Sequence, residues 1–484
     1  MSDLSSRSRW IALYVLCLGT LMIVLDVTIV NVALPSIKKD LGFTQSSLAW
    51  VVNAYLLTFG GCLLLGGRLG DLFGHRRLFV AGLALFTTAS LVCGLSTSQG
   101  MLIAARAVQG IGGAVVSAVS FGLIMTLFTE PADRAKAMGI GGFVASAGGS
   151  IGVLLGGVLT GTLNWHWIFL VNVPIGALVL FLTLRLVPAS PGHARNGRID
   201  FAGSALVTGA LMVAVYAIVN GNSAGWTSAR TLGLLAAAAV LLGVFVAREA
   251  TFAEPIMPLR LFAHRNLSVA NVAGVLWAGA MFAWFFLSSQ YLQFVLGYSA
   301  LQVGLAFLPA NVIMGALSVG VSAKLVMRYG YRRPLAGGLT LAAAGLFLFT
   351  RAPVHGHFLT DVLPAMVLLG FGAGIAFNPL LLAAMGDVAP QEAGLASGLV
   401  NTSTMMGGAL GLAVLASIAA SRTSSLSRAG HSTVASLNGG YHAAFLGGVV
   451  CALLAAVLGG LLLHESSQPA HMHAPEGAPA AALD

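Results

Sequence analysis

Long apolar stretches alternate with short polar breaks along almost the whole chain. The stretches fall near residues 10–30, 48–67, 78–95, 101–127, 138–161, 167–187, 201–219, 231–247, 267–289, 302–322, 333–349, 359–380, 395–417 and 441–463. A helix that crosses a bilayer needs about 20 predominantly apolar residues. The pattern therefore predicts an all-α membrane protein with fourteen transmembrane helices. Arg7 and Arg9 precede the first stretch as they would in a signal peptide. That stretch runs from Trp10 to Val30, too long for a signal h-region and without a small-residue cleavage site, so it is read as helix 1.

Composition supports lipid rather than water as the surrounding solvent. Of the 484 residues 57% are hydrophobic and only 8% are charged, against roughly a quarter charged in soluble domains. The formal charge of +9 invites a nucleic-acid reading, but Lys and Arg lie in the short breaks and form no single basic face, so no nucleic-acid partner is expected. Basic residues in short loops stay cytoplasmic. With the N-terminus inside, seventeen of the 24 Lys and Arg fall in inside segments, six in outside segments, and Arg106 lies within a helix. This split predicts both termini on the cytoplasmic side of the plasma (inner) membrane. Cys17, Cys62, Cys93 and Cys451 all sit in apolar runs and read as small buried hydrophobes. No GxxxxGK[ST] loop, HExxH spacing or nucleophile–base pattern is present. Neither an enzyme nor direct use of ATP is expected, no cofactor or metal is called for, and His471 and His473 read as part of a solvated, disordered tail.

An internal echo organises the helices. Gly67-Arg68-Leu69-Gly70-Asp71-Leu72-Phe73-Gly74-His75-Arg76-Arg77 is matched by Ala323-Lys324-Leu325-Val326-Met327-Arg328-Tyr329-Gly330-Tyr331-Arg332-Arg333 at a constant offset of 256. Weak symmetry of this kind marks transporters made of repeated halves. An offset of eight helices implies a 6+2+6 arrangement. The expected units are a six-helix half at 1–187, a linker with two inserted helices at 188–265, a second six-helix half at 266–464 and a cytoplasmic tail at 465–484.

These residues carry a resemblance. Leu25-Asp26-Val27-Thr28-Ile29-Val30-Asn31-Val32-Ala33-Leu34-Pro35, the 67–77 loop, Arg106-Ala107-Val108-Gln109-Gly110-Ile111-Gly112 and Trp165-His166-Trp167-Ile168-Phe169-Leu170-Val171-Asn172-Val173-Pro174 together resemble the major facilitator superfamily, and within it the fourteen-helix drug:proton antiporters. His166 stands where that family usually has Arg. The resemblance implies the major facilitator fold, alternating access, a role for Arg106 in proton transfer, and a gating latch at Gly67, Asp71, Gly74, Arg76 and Arg77. Met327 replaces the latch Asp in the second copy. Gly148, Gly152 and Gly156 align with the superfamily's antiporter motif, which continues with Pro where this chain has Val153. The same glycine spacing also permits close helix packing on its own.

Among fifteen acidic residues Asp26 alone sits well inside a predicted helix. An intramembrane carboxylate is costly and therefore a functional candidate; its rival role is to bond a neighbouring helix. Arg106 is the only deeply placed basic residue and falls at a comparable depth. If the two meet, burial disfavours the charged carboxylate while the guanidinium favours it, as reversible proton loading requires. Asn53, Tyr55, Gln109, Trp277, Trp284, Gln290, Tyr291, Asn311, Asn378 and Asn401 are candidates for a cavity lining or for helix–helix contacts. Asn53, Tyr55 and Asn311 are singled out as substrate-binding. Met405 and Met406 suit adaptable apolar ligands or lipid. The expectation is a monomeric proton-coupled exporter of hydrophobic, cationic small molecules, powered by the proton gradient, with little capacity for dications. A dedicated exporter of one metabolite and an uptake symporter are the alternatives.

Overall fold

The computed structural model describes residues 6–128, 130–187, 200–252, 255–388 and 392–464. The expected tail at 465–484, with His471 and His473, and most of the polar linker at 188–199 lie outside the described residues. All regular structure among the described residues is helical. The helices are α1 (Ser6–Leu41), α2 (Trp50–Phe73), α3 (His75–Gly94), α4 (Gln99–Leu127), α5 (Pro131–Thr162), α6 (Trp167–Leu170), α7 (Asn172–Leu186), α8 (Phe201–Ala224) and α9 (Ala229–Thr251), followed by α10 (Arg265–Gln290), α11 (Ala300–Ala316), α12 (Ser322–Tyr329), α13 (Arg332–Phe349), α14 (Leu363–Met385), α15 (Ala393–Arg428) and α16 (Thr433–Leu462). Eleven helical segments among the described residues are long and apolar enough to cross a membrane; Ile151–Thr162 and Ala300–Ala316 are shorter apolar helices. The apolar stretches of the sequence fall on helices, with extensions at polar ends. α1 continues past Val30 through Pro35 to Leu41, and α15 continues past residue 417 to Arg428.

Short turns send successive helices back alongside one another. The exceptions are α6–α7, continuous through Val171, and α11–α12, joined by a π-helical turn at Leu317–Val321. We call the end of the bundle at which α1 begins the base and the opposite end the crown. Helix starts are marked by local chemistry. Ser98, Asp200, Ser228 and Ser432 accept backbone N–H bonds in the first turns of α4, α8, α9 and α16, and Ser299 with Gln302 closes a capping box on α11.

The 256-residue echo is a structural repeat at the base. Gly74 and Gly330 have φ of +92° and +71°, a backbone region that glycine enters without steric cost, and each turns the chain into the next helix. Two residues on, Arg76 Nη2 donates to the Leu184 carbonyl at 2.7 Å, and Arg332 Nη2 donates to the Gly460 carbonyl at 2.6 Å. Each arginine thus ties the start of α3 or α13 to the end of α7 or α16. Asp71 Oδ1, in the last turn of α2, lies 3.3 Å from Nε2 of His75, the first residue of α3.

α8 and α9 pair with each other, and α8 lies across the seam between α2 and α15. Ser204 Oγ donates to the Gly61 carbonyl on α2, while Asn222 Nδ2 donates to the Ser417 carbonyl on α15 at 2.8 Å. Met406 of α15 fills this seam with Val207 and Phe245. At the crown, α1 and the loop after it bond the end of α10 and α16. Ser289 Oγ donates to the Asn31 carbonyl at 2.7 Å, Gln293 Nε2 to the Val32 carbonyl at 2.9 Å, and Gln45 Nε2 to Gln290 Oε1 at 2.5 Å and Tyr441 Oη at 3.3 Å.

Candidate functional site

α1 carries Asp26 through the middle of the first helix group, and α4 presents Arg106 and Gln109 one turn apart. They meet. Arg106 Nη1 donates to Asp26 Oδ2 at 2.5 Å and to Gln109 Oε1 at 2.8 Å, and Arg106 Nε donates to the Val51 carbonyl of α2 at 2.9 Å. Asp26 Oδ1 accepts from Gln109 Nε2 at 2.7 Å and from Asn172 Nδ2 at 3.1 Å. Ser90 of α3 accepts from Gln109 and Asn172 at 3.1 and 3.0 Å and donates to the Phe169 carbonyl at 2.9 Å. Phe169 and Asn172, three residues apart across the α6–α7 junction, both reach this point. Asp26 is 0% and Arg106 1% exposed.

Aromatic faces complete the enclosure. The Arg106 guanidinium lies 4.4 Å from the Tyr55 ring centre and 5.6 Å from that of Phe169, which favours the cation without a hydrogen bond. The net charge of the cluster is zero when Asp26 is ionised. Removing two opposite charges from water is repaid only when geometry is good and the remaining polar atoms are bonded. Here the carboxylate accepts three bonds and the Gln109 amide is engaged on both sides. Protonating Asp26 would remove its charge and leave Arg106 without a counter-ion in an apolar interior.

The glycine stripe lies directly behind Asp26. A Cβ on Gly148 would meet Val24 and Leu21, one on Gly152 would meet Thr28 Oγ1 and the Leu25 carbonyl, and one on Gly156 would meet the Ile29 carbonyl at 2.7 Å. The stripe therefore lets α5 press against the α1 segment that bears the carboxylate. Gly157 faces the other way, onto Ala300 and Leu301 of α11, and Gly304 of α11 faces the Val153 carbonyl. Val153 is itself buried.

The three residues singled out for substrate binding are separated. Tyr55 belongs to the Arg106 enclosure. Asn53 is fully buried on α2, and Asn311 is buried on α11; in both, neither amide atom has a hydrogen-bond partner. Trp284 Nε1, on α10, is also buried without a partner. Other candidates hold the structure together. Gln290 bonds Gln45, Tyr291 Oη donates to the Pro353 carbonyl at 2.8 Å, and Asn378 Nδ2 donates to Ser318, whose carbonyl lies in the π-helical turn after α11. Asn401 is exposed and bonds its own helix at Ser397. Among the gating candidates, Gly67 faces open space and Asp71 is exposed. Sequence reading missed Ser90 altogether. It placed Asn172 only in a family motif, and Gln109 in another such motif and among possible cavity residues.

A helical bundle with apolar outer faces, a repeated pair of basic turns and, among the described residues, one ion pair sealed in its core has the build of a multi-pass membrane protein, and its relatives make it a transporter rather than an enzyme. The chain belongs to the Major Facilitator Superfamily, whose profile matches residues 16–412. It is 39% identical over 468 residues to the puromycin resistance protein pur8 of Streptomyces alboniger, covering 96% of this chain and 93% of that one. It is 40% identical over 469 residues to the cephamycin export protein CmcT of Amycolatopsis lactamdurans, covering 96% and 94%. In fold it is similar to a bacterial homologue of the human lysosomal transporter Spinster, crystallised inward-facing and unoccupied. That match has a TM-score of 0.67 at 16% identity and covers 95% of this chain and 98% of the other.

Proposed function

We propose that this protein exports hydrophobic, cationic small molecules such as drugs or antibiotics across the plasma membrane, by alternating access and in exchange for protons. Membership of the superfamily and the names of the relatives support export. The proton role rests on one observation: Asp26 and Arg106 form a neutral, solvent-excluded pair whose balance a single proton upsets. The bonded arrangement belongs to the ionised carboxylate. A proton on Asp26 ends the charge-assisted bond and favours a state in which Arg106 finds another partner or water.

In this reading the base is cytoplasmic, because most basic loop residues gather there, and both termini lie on that side. Fourteen crossings arise from the eleven long segments together with α5, α11–α12 and α13. They divide as 6+2+6, with halves at 1–187 and 266–464, the inserted pair within 188–265, and 465–484 as a cytoplasmic tail. One chain holds both repeats and so works as a monomer, needing no cofactor beyond the proton gradient. The crown bonds between α1 and α10 support a state closed to the outside. Gly67, Asp71, Gly74, Arg76 and Arg77 form the cytoplasmic latch of the other state. Gly148, Gly152 and Gly156 form the track on which α1 shifts. Asn53 and Asn311, with their unpartnered amides, offer the polar contacts of the substrate site.

Everted vesicles test the reading. On energisation they should accumulate ethidium or puromycin and dissipate their internal acidity as they do so. Accumulation only in right-side-out vesicles would instead indicate uptake by symport. A dedicated exporter of a single scaffold is the second reading, favoured because the two relatives above are named for one antibiotic each. A susceptibility panel that protects against one scaffold only would select it.

A further inference from the structure

The two copies of the basic turn are not chemically equal. In the first, Asp71 and His75 form an acid–base pair at the base end of α2 and the start of α3. At the offset of 256 their places are taken by Met327, 81% exposed, and Tyr331. α12, α13 and α16 contain no Asp or Glu, while Lys324, Arg328, Arg332 and Arg333 crowd the base ends of α12 and α13. The second copy has kept the positive charge of the first and lost its acid.

A cavity of about 320 Å³ opens at this place, lined by Arg332, Arg333, Ala336 and Gly460, with room for about ten waters. α13 and α16 pack closely beside it: a Cβ on Gly460 would meet the Ala336 side chain at 3.1 Å. Arg332 is fixed at its rim by two bonds to the Gly460 carbonyl, from Nε at 3.2 Å and Nη2 at 2.6 Å. Arg333 is exposed and has no hydrogen bond or ion pair among the described residues. The first turn of the eighteen-residue helix α13 also points its free N–H groups towards the base. From the cavity a strip of exposed apolar residues, Leu461, Val457, Leu454 and Val450, climbs α16 towards the crown.

We infer that this cavity binds the phosphate headgroup of an anionic phospholipid from the cytoplasmic leaflet, with Arg333 as the contact that recognises its charge and the α16 strip carrying an acyl chain. Basic pockets between helices on the cytoplasmic side are matched to such headgroups by charge and depth. A soluble phosphate shares the charge but has no use for the apolar strip.

Thermal unfolding of the full-length protein in an uncharged detergent tests this, with titrations of dioleoylphosphatidylglycerol, dioleoylphosphatidylcholine and inorganic phosphate. The wild type should be stabilised saturably by phosphatidylglycerol and not by the other two. Arg333→Gln should need about fivefold more phosphatidylglycerol for half the effect, and Arg333→Glu more again. Arg422→Glu, the same charge change on an exposed crown residue, should leave the curve in place. Equal stabilisation by phosphatidylcholine, or an unshifted curve in both Arg333 variants, would overturn the site. So would equal weakening by Arg422→Glu. An Arg333-dependent effect of phosphate alone would replace the lipid with a soluble anion.

Discussion

Arg106 reaches Asp26 from eighty residues away with a 2.5 Å bond, and its other edge is held by the Val51 carbonyl. The guanidinium therefore spans α1, α2 and α4 at one level, with the carboxylate as its only counter-charge in the cluster. Removing either charge alone should cost more than removing both.

A double-mutant cycle measures this. Arg106→Leu should lower stability by about 3–5 kcal/mol, because it leaves the Asp26 carboxylate buried and uncompensated. Arg106→Leu combined with Asp26→Asn should recover most of that loss. Unfolding midpoints of the four proteins give the coupling; additive losses would show that the two charges do not depend on each other. Arg106→Lys should fall between, because an ammonium cannot reproduce the fork that serves Val51, Gln109 and Asp26 together.

The glycine stripe predicts opposite outcomes for neighbouring positions on α5. Gly156→Ala should destabilise by about 1–3 kcal/mol, since its Cβ would press on the Ile29 carbonyl at 2.7 Å. Gly149→Ala meets nothing within 4 Å among the described residues and should gain up to about 1 kcal/mol from helix propensity. Thermal shifts of the same sign in both variants would contradict the assignment of the stripe to α1 packing.

Asn311 keeps an unbonded amide in the interior, which costs stability of about 1–3 kcal/mol. Asn311→Leu should therefore raise the unfolding midpoint and lower ethidium export. A gain in stability with unchanged export would remove Asn311 from the substrate site. A loss of stability would mean that its amide is bonded after all.

Gly161 and Leu301 face each other across the crown, and a Cβ on Gly161 would lie 3.9 Å from the Cβ of Leu301. That separation suits a disulfide. The Gly161→Cys/Leu301→Cys protein should crosslink under mild oxidation and stop exporting ethidium, and dithiothreitol should restore export. Export that continues in the crosslinked protein would show that the crown does not open during transport.

Much of this architecture was legible in the residue pattern, and the reasons for the gaps are physical. Apolar runs located the helices because lipid-facing and helix-facing positions are both apolar. They did not locate the ends of α1 and α15. Beyond Pro35, Lys38 lies on the extended end of α1 and donates to Gln45 Oε1 at 2.6 Å, a contact visible only in three dimensions. The Arg–Arg echo predicted a repeat, and Arg76 and Arg332 make equivalent bonds. The latch residues implied no particular partner for Asp71; the contact found is His75, across the Gly74 turn. Asp26 and Arg106 stood out because charge is rare at that depth. Ser90 did not, since a serine in an apolar helix usually bonds its own backbone; it matters because it bonds the Phe169 carbonyl on another helix. The placement of α8 across α2 and α15 could not be read from an apolar sequence with no polar face to orient it.

The central claim is that one proton on Asp26 drives export, and proton movement coupled to ethidium in everted vesicles tests it most directly. Asp26→Asn imitates the protonated carboxylate. The variant should still exchange labelled ethidium down its gradient, but should neither accumulate it on energisation nor release protons when it is added. Energised accumulation with proton release at the wild-type level in Asp26→Asn would contradict the account.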